Sequence, residues 1–409
     1  MALLTGGADR PYAFGLTKAL IGERTTLDLI GNNDLDCSEF QDAPSVRFFN
    51  LRGDQRSDAG FAAKALRVLR YYARLLLYTT TARPKLFHIL WNNKFEYFDR
   101  TLLMLWYRAL GKKLVLTLHN VNGRRRDHND TTLNRVTLRI QYRLAHHIFV
   151  HTERMKQELM EDFGEQAGRI TVIPFGINNA APNTSLTSRE ARGRLGIQDG
   201  EKTLLFFGHI APYKGLEYLV AAFHHVASQG TDCRLIIAGR PKNCEQYWST
   251  IRAAIDVDLR KGRILLREEF IPDEDTEVYM KAADVLVLPY RHIYQSGVLF
   301  LGYSFGLPVL VADVGSLREE IVEGTTGFVF RPEDPDDLAR VINQYFASEL
   351  YAGLAFRRQE ICDYVAARNS WKLIGRMTTD VYLSLMRSTS PGKVFDRDSP
   401  NASADAKVG

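Results

Sequence analysis

Short runs that are apolar throughout recur along the chain and alternate with longer segments of helical period. LLFF at 204–207, LIIA at 235–238 and VLVLP at 285–289 show no polar alternation. Such runs are expected of strands covered on both faces of a parallel sheet. In the first half the pattern predicts strands at Ala2–Thr5, Thr26–Ile30, Leu86–Leu90, Leu114–Leu118, His147–Val150 and Ile170–Ile173. Gly6-Gly7 turns the first of these into a helix over Pro11–Ile21, and the brevity of that strand suggests a clipped start. In the second half, strands are predicted at Thr203–Phe207, Arg234–Ala238, Arg263–Leu266, Asp284–Leu288, Pro308–Ala312 and Gly327–Phe330. Helical segments follow them near Lys214, Asn243, Asp273, Ser296, Ser316 and Pro335.

This alternation is the signature of βαβ units, so the predicted class is α/β, with two tandem Rossmann-like domains. The Asn-, Pro- and Ser-rich stretch Pro174–Gly200 reads as the connection. The expected division is an N-terminal domain at 1–179, a linker at 180–199, a C-terminal domain at 200–365, a crossover helix at 366–387 and a disordered tail at 388–409. Strand C-termini of two such domains bring their ligand crevices together across a cleft.

The chain has 409 residues, 45% of them hydrophobic and 25% charged, which excludes disordered and fibrous classes. Its formal charge of +5 is too weak to argue for nucleic acid. Cys37, Cys233, Cys244 and Cys362 have no CxxC spacing, so neither a disulfide framework nor a zinc site is expected. The opening MALLTGG lacks a charged segment and a long apolar one, and no run of 18 apolar residues occurs. A cytoplasmic protein is expected, with peripheral contact on the inner face of the membrane as an option. The sequon at Asn183-Thr184-Ser185 is accordingly read as chance.

Two stretches carry chemistry. In FFGHIAPYKGLEYLVAAF, Phe206–Phe223, a strand ends at Gly208 and Lys214-Gly215 opens a helix, placing an ammonium where backbone amides also converge on an anion. After strand Asp284–Leu288, a polar loop delivers Gln295-Ser296-Gly297 to an apolar helix, with Ser296 as N-cap and free amides through Val298. Gly315, Ser316 and Glu320 belong to the next crevice loop, with Glu320 one turn into a helix.

The order of blocks resembles family 4 of the nucleotide-sugar glycosyltransferases, which have the two-Rossmann GT-B architecture. The matching blocks are GGADRPYAFGLTKAL, VLTLHNVN, HHIFVHTERMKQEL, ITVIPFGIN, LLFFGHIAPYKGLEYL, DVLVLPY, FGLPVLVADVGSLREEIVEGTTGFVF and NSWKLIGRMTTDVY. The resemblance implies a nucleoside diphosphate sugar as donor substrate, no cofactor or metal, and a last helix that crosses back to the N-terminal domain. It implies donor binding by Gly208, His209, Lys214, Gln295, Ser296, Gly297, Val298 and Glu320. His119 is similar to the family's N-domain histidine and is the expected catalytic residue. Asp127 and Asp130 are weaker candidates for a base. Acceptor contacts are expected from His151, Arg124 and Arg125.

The chain departs from the family in two places. His209 stands where the family's G-R-x4-K-G block has arginine. The two glutamates that contact sugar and ribose before G-x-P-V are missing: an ungapped alignment puts Ile293 and Leu301 there, and a one-residue shift puts Tyr294 and Gly302. The pairs Asp34/Asp36 and Asp256/Asp258 match the Asp-x-Asp metal pattern of the other glycosyltransferase fold, a spacing that arises easily by chance. His146-His147 and His224-His225 are poor ligand sets, because adjacent residues on a helix do not face one another.

Ser57–Thr80 reads as an amphipathic helix with Lys64, Arg67, Arg70 and Arg74 on one face and Leu66, Leu69, Tyr72 and Leu76 on another. Arg124–Arg126 and the series Arg135, Arg139 and Arg143 add basic clusters in the same half. They suit anionic headgroups or a polyprenyl-linked glycan acceptor. The expected function is hexosyl transfer in surface polysaccharide synthesis. A nucleotide-sugar epimerase of the same fold and a non-catalytic nucleotide- or glycan-binding protein are the alternatives.

Overall fold

The computed structural model describes residues 1–6, 10–54, 60–126, 129–177 and 181–387. Within them the chain forms two parallel sheets. The first comprises β1 (Ala2–Leu4), β2 (Leu27–Gly31), β3 (Val46–Asn50), β4 (Leu86–Ile89), β5 (Lys113–Thr117), β6 (His147–Val150) and β7 (Ile170–Val172). Their spatial order is β3-β2-β1-β4-β5-β6-β7. The second comprises β8 (Lys202–Phe207), β9 (Cys233–Ala238), β10 (Ile264–Arg267), β11 (Val285–Leu288), β12 (Val309–Ala312) and β13 (Gly327–Phe330). Their order is β10-β9-β8-β11-β12-β13. Strand order reverses between β1 and β4 and again between β8 and β11. Those are the points where open α/β sheets leave a crevice for ligands.

The apolar runs read from the sequence are these strands, and β4, β6, β11 and β12 are buried at every position. One strand was not legible. β3 lies at the sheet edge, in register with β2 from Leu27↔Val46 to Gly31↔Asn50, and only Val46 is buried. Arg47 ties it to the buried Asp28 through two bonds of 2.7 and 2.8 Å.

Three helical expectations are corrected. The connecting stretch contains a helix, Ser188–Leu195, closed at its start by a capping box in which Thr187 and Glu190 bond reciprocally. Its Arg192 is buried and bonds Asp284 at 2.8 Å, so the helix is fastened to the C-terminal lobe. No helix starts at Ser316: the chain makes one 3-10 turn, Arg318–Glu320, before β13. The stretch expected as a crossover helix, 366–387, is divided between two helices, Leu354–Asn369 and Trp371–Arg387, separated by an extended Ser370.

The second of these helices returns to the N-terminal lobe and packs along the helix Arg10–Gly22. Its Ile374 and Tyr382 are part of the N-terminal core, and the Tyr382 hydroxyl meets buried His88 at 2.6 Å. The two crossings are laced together: Ile177 N–H donates to Asn369 O, Asn369 Nδ2 to Phe175 O, and Trp371 Nε1 to Ile177 O. Direct bonds also join the lobes, from Arg154 Nη1 to Gly315 O at 2.8 Å and from Ser316 Oγ to Thr152 Oγ1 at 2.9 Å.

The long helix of the first half is Phe61–Thr81, and residues 55–59 lie outside the described set. Of the apolar face expected, Tyr72 and Leu76 pack on the core together with Tyr71, Leu75 and Tyr78, whereas Leu66 and Leu69 do not. Leu66, Leu69 and Leu77 face outward at 48, 60 and 68% exposure, beside exposed Arg70 and Arg74. Trp106 Nε1 bonds Thr79 Oγ1, and Leu102, Leu105 and Trp106 are likewise exposed. No described helix is long and apolar enough to cross a membrane. The tail at 388–409 lies outside the described residues.

Candidate active site

A cleft of about 420 Å³ opens between the lobes at the β8/β11 switch point. Tyr12, Phe175, Gly176 and Trp371 line it from the N-terminal side and the two crossings. His209, Tyr213, Lys214, Tyr290, Gln295, Ser296, Gly297 and Val298 line it from the C-terminal lobe. A more open groove of about 920 Å³ adjoins it, between the helix Glu153–Phe163 and loops 291–294 and 313–315.

The loop after β8 is held in a fixed shape. Gly215 sits in the left-handed region at φ 64°, and a Cβ there would stand 2.0 Å from Pro289 O. Only glycine permits this approach to the loop after β11. It sets Lys214 at the end of a 3-10 turn, 6% exposed. Lys214 Nζ lies 5.3 Å from the Tyr290 ring centroid and 3.1 Å from where a Cβ on Gly208 would be. Burial lowers the lysine pKa, and Tyr213 opposes that shift. Among the described residues no carboxylate forms an ion pair with Lys214. A buried ammonium without a counter-ion is costly unless an anion completes it.

Ser296 is at the N-cap of the helix Gly297–Ser304, as expected, but its side chain makes no capping bond. Its Oγ instead lies 3.3 Å from the buried Tyr290 hydroxyl. The first amides of that helix therefore face the cleft without a side-chain cap, a ready anion site. Gly297 has nothing within 4 Å of a notional Cβ. Gln295 is half-buried, and its side-chain amide is directed at the carboxyl of Glu320 without reaching ideal hydrogen-bond geometry. Glu320 lies behind Gln295 rather than on the cleft wall. Burial pushes its carboxyl up to about 7, against the pull of Arg368 and the Gln295 amide.

His209 lines the cleft, but its pKa is lowered, by burial first and then by Lys242, Lys214 and Arg240. It therefore stays neutral near pH 7 and cannot supply the charge of the arginine it replaces. Arg240 and Lys242, both exposed, had not been singled out in the sequence. The β9 loop that carries them is zipped to the β8 loop by Ile210 N–H to Arg240 O and Lys242 N–H to Ile210 O. The string Gly239-Arg240-Pro241-Lys242 immediately after an apolar strand was the available signal.

His119 follows β5 and sits behind the cleft wall. Its ring stacks on Trp91 at 4.1 Å and 3°, and meets Tyr12 edge-on at 4.6 Å. Burial, with His151 and His88 adding to it, holds its pKa well below the usual value. His151, expected as an acceptor contact, is 4% exposed and bonds His119 instead. Arg124 pairs with Glu96 at 3.3 Å and donates to the Tyr97 hydroxyl at 2.7 Å, and it lines neither cavity. The Arg125 side chain and Asp127 lie outside the described residues. Asp130 is engaged by Arg135 and Asn134.

Among the described residues no group of three or more His, Cys, Asp or Glu is placed to hold a metal ion. Asp258 is buried against Arg263 and His224, and Asp256 pairs with Arg260. The two positions aligned with the family's first glutamate divide. Ile293 lines the cleft, while the Tyr294 hydroxyl crosses to the N-terminal lobe.

Two doubly wound lobes, a crossing C-terminal helix and an anion-ready cleft between them define the GT-B class. Residues 11–180 match the profile described as Glycosyltransferase Family 4, and residues 201–348 that described as Glycosyl transferases group 1. The chain belongs to this glycosyltransferase family. An uncharacterized glycosyltransferase of Methanocaldococcus jannaschii is 28% identical over 240 residues, 56% of this chain and 58% of that protein. The D-inositol 3-phosphate glycosyltransferase of Streptosporangium roseum is 25% identical over 253 residues, 59% of this chain and 56% of that one. The chain thus spans little more than half the length of these curated relatives. Among solved structures, sucrose-phosphate synthase of Thermosynechococcus elongatus superposes with a TM-score of 0.74 at 18% identity, covering 95% of this chain and 99% of that one. HepE of Anabaena, in complex with UDP and glucose, gives 0.71 at 16%, covering 94% and 99%. These likenesses establish the fold.

Proposed function

We propose that the protein transfers a hexosyl group from a nucleoside diphosphate sugar to a glycan or lipid-linked glycan acceptor, without a metal. One observation carries this reading: Lys214 is a buried ammonium that lines the cleft with no carboxylate partner among the described residues. Breaking the bond between the anomeric carbon and the diphosphate leaves negative charge on the phosphate oxygen. Lys214 and the amides at Gly297 and Val298 stabilise that charge in a site shielded from water. Arg240 and Lys242 supply the positive charge that neutral His209 lacks. Gln295 takes a polar group of the donor, and His119 serves the transferred sugar or the acceptor hydroxyl. That HepE holds UDP and glucose supports a uridine donor as the first to try.

The acceptor reading rests on the outer surface of the N-terminal lobe. Leu66, Leu69 and Leu77, with Leu102, Leu105 and Trp106, present apolar side chains beside Arg70 and Arg74. An apolar surface rimmed by arginine suits an anionic membrane in which a polyprenyl-linked acceptor resides.

The test is to incubate the protein in EDTA with UDP-, GDP- and ADP-hexoses, with and without polyprenyl-linked glycans, and to analyse products by mass spectrometry. Elongated acceptor, lost in Lys214→Met, is the expected result. Epimerised nucleotide sugar formed from donor alone would assign the epimerase instead. Tight donor binding with no turnover on any acceptor would assign a binding protein.

A further inference from the structure

We infer that His151 is a positioning residue that fixes the proton of His119 on Nδ1, leaving Nε2 as a bare acceptor for a substrate hydroxyl. A hydrogen-bond chain runs outward from the backbone through both rings. His151 Nδ1 lies 3.3 Å from Ile173 O. A carbonyl oxygen only accepts, so this nitrogen carries the proton. In a neutral imidazole the other nitrogen is then a lone pair, and His151 Nε2 accepts. Its partner is His119 Nδ1 at 3.2 Å, which must donate. His119, neutral in turn, has no second proton, so its Nε2 is unprotonated.

The surroundings enforce this neutrality. His151 is 4% exposed, and burial holds its pKa at about 4 against the carbonyls of Ile173 and Pro174. For His119 burial acts first, with His151 and His88 adding to it, and both rings pack against Tyr12 and Phe175. His119 Nε2 is buried and has no partner among the described residues. Tyr12 touches both His119 and the cleft, so a bound sugar that displaces this ring reaches the lone pair. An acceptor-only nitrogen recognises O–H and repels phosphate oxygen. The site behind Tyr12 is therefore one for a hydroxyl of the transferred sugar or of the acceptor. This role rests on the transferase reading, whereas the proton placement does not.

The experiment is a long-range 1H–15N spectrum of histidine-labelled protein, followed by variants. The expected result is a pyrrole-type Nδ1 and a pyridine-type Nε2 for His119. His151→Phe should shift its tautomer balance, lower turnover with a UDP-hexose by about tenfold or more and leave UDP affinity unchanged. His151→Gln, whose amide oxygen accepts where Nε2 did, should restore the tautomer and part of the turnover. A protonated Nε2 in the unsubstituted protein, or a tautomer indifferent to His151→Phe, overturns the inference. If the tautomer behaves as described but turnover does not respond, the proton relay stands and the assignment of His119 to the reaction fails.

Discussion

The Tyr294 hydroxyl donates to Glu158 Oε1 at 3.0 Å, joining the loop after β11 to a helix of the opposite lobe. The family resemblance read from the sequence implies an acid in this part of the loop. Here a neighbouring position is spent on holding the lobes together. Tyr294→Phe keeps the ring and removes the donor. It should destabilise the protein by about 1–2 kcal/mol, because a bond to a carboxylate is lost. Small-angle scattering without nucleotide should report a larger radius of gyration. An unchanged radius would show that the remaining bonds between the lobes suffice.

Lys214 sets stability against function. Its ammonium is buried without a counter-ion, so Lys214→Met should leave Tm unchanged or raise it. The same substitution should weaken UDP binding by about thirtyfold or more, since a desolvated charge on phosphate is lost. Calorimetric titration and thermal unfolding on one preparation decide it. A lower Tm with unchanged UDP affinity would mean that the lysine is structural.

The charge missing at His209 is expected from the β9 loop. Replacing Arg240 and Lys242 together by alanine should weaken UDP by about tenfold and uridine far less. The charge-keeping pair Arg240→Lys and Lys242→Arg should recover most of the loss. Both side chains are exposed, so Tm should not move.

Acid should unfold this protein earlier than its carboxylates alone would require. Burial lowers the pKa of His88 to about 3, of His146, His147 and His151 to about 4, and of His119 well below its usual value. In the unfolded chain these rings titrate near 6.5. The unfolded state therefore binds more protons between about pH 6.5 and pH 4. Stability is complete above that window and is lost as pH falls through it, at up to about 1.4 kcal/mol per unit for each fully buried ring. Glu320 and Asp99, raised to about 7 and about 6, act in the opposite sense but are outnumbered. Urea midpoints at pH 7.5, 6 and 5 should fall in that order, and His88→Gln should flatten the profile.

Trp371 occupies the space in front of two glycines. A Cβ on Gly15 would stand 2.1 Å from Trp371 Cε2, and one on Gly176 2.3 Å from its Cζ2. Gly15→Ala should cost about 1–3 kcal/mol by forcing the indole aside. Because Trp371 also lines the cleft, its fluorescence and the UDP affinity should change together.

The sequence foretold the architecture wherever local pattern and tertiary role agree. Fully buried strands such as β11 and β12 announce themselves by composition. β3 does not, because an edge strand with mixed exposure has no run to recognise. The helix Ser188–Leu195 was hidden by a polar composition, although Thr187 and Glu190 carried a capping signature. The lining of the cleft was legible where backbone motifs place it, at His209, Lys214 and Ser296. His151 was misplaced because its position after a strand says nothing about whether the ring turns outward or under its neighbour. Arg240 was missed because its importance depends on what stands at His209, which only the pairing of two loops reveals.

The return of the helix Trp371–Arg387 to the first lobe has a consequence for biosynthesis. Ile374 and Tyr382, which complete the N-terminal core, are added by the ribosome only after the whole second sheet. The first half must therefore wait, its surface around the helix Arg10–Gly22 bare, until the second sheet has been made as well. Messages truncated before codon 371 should yield products that chaperones retain.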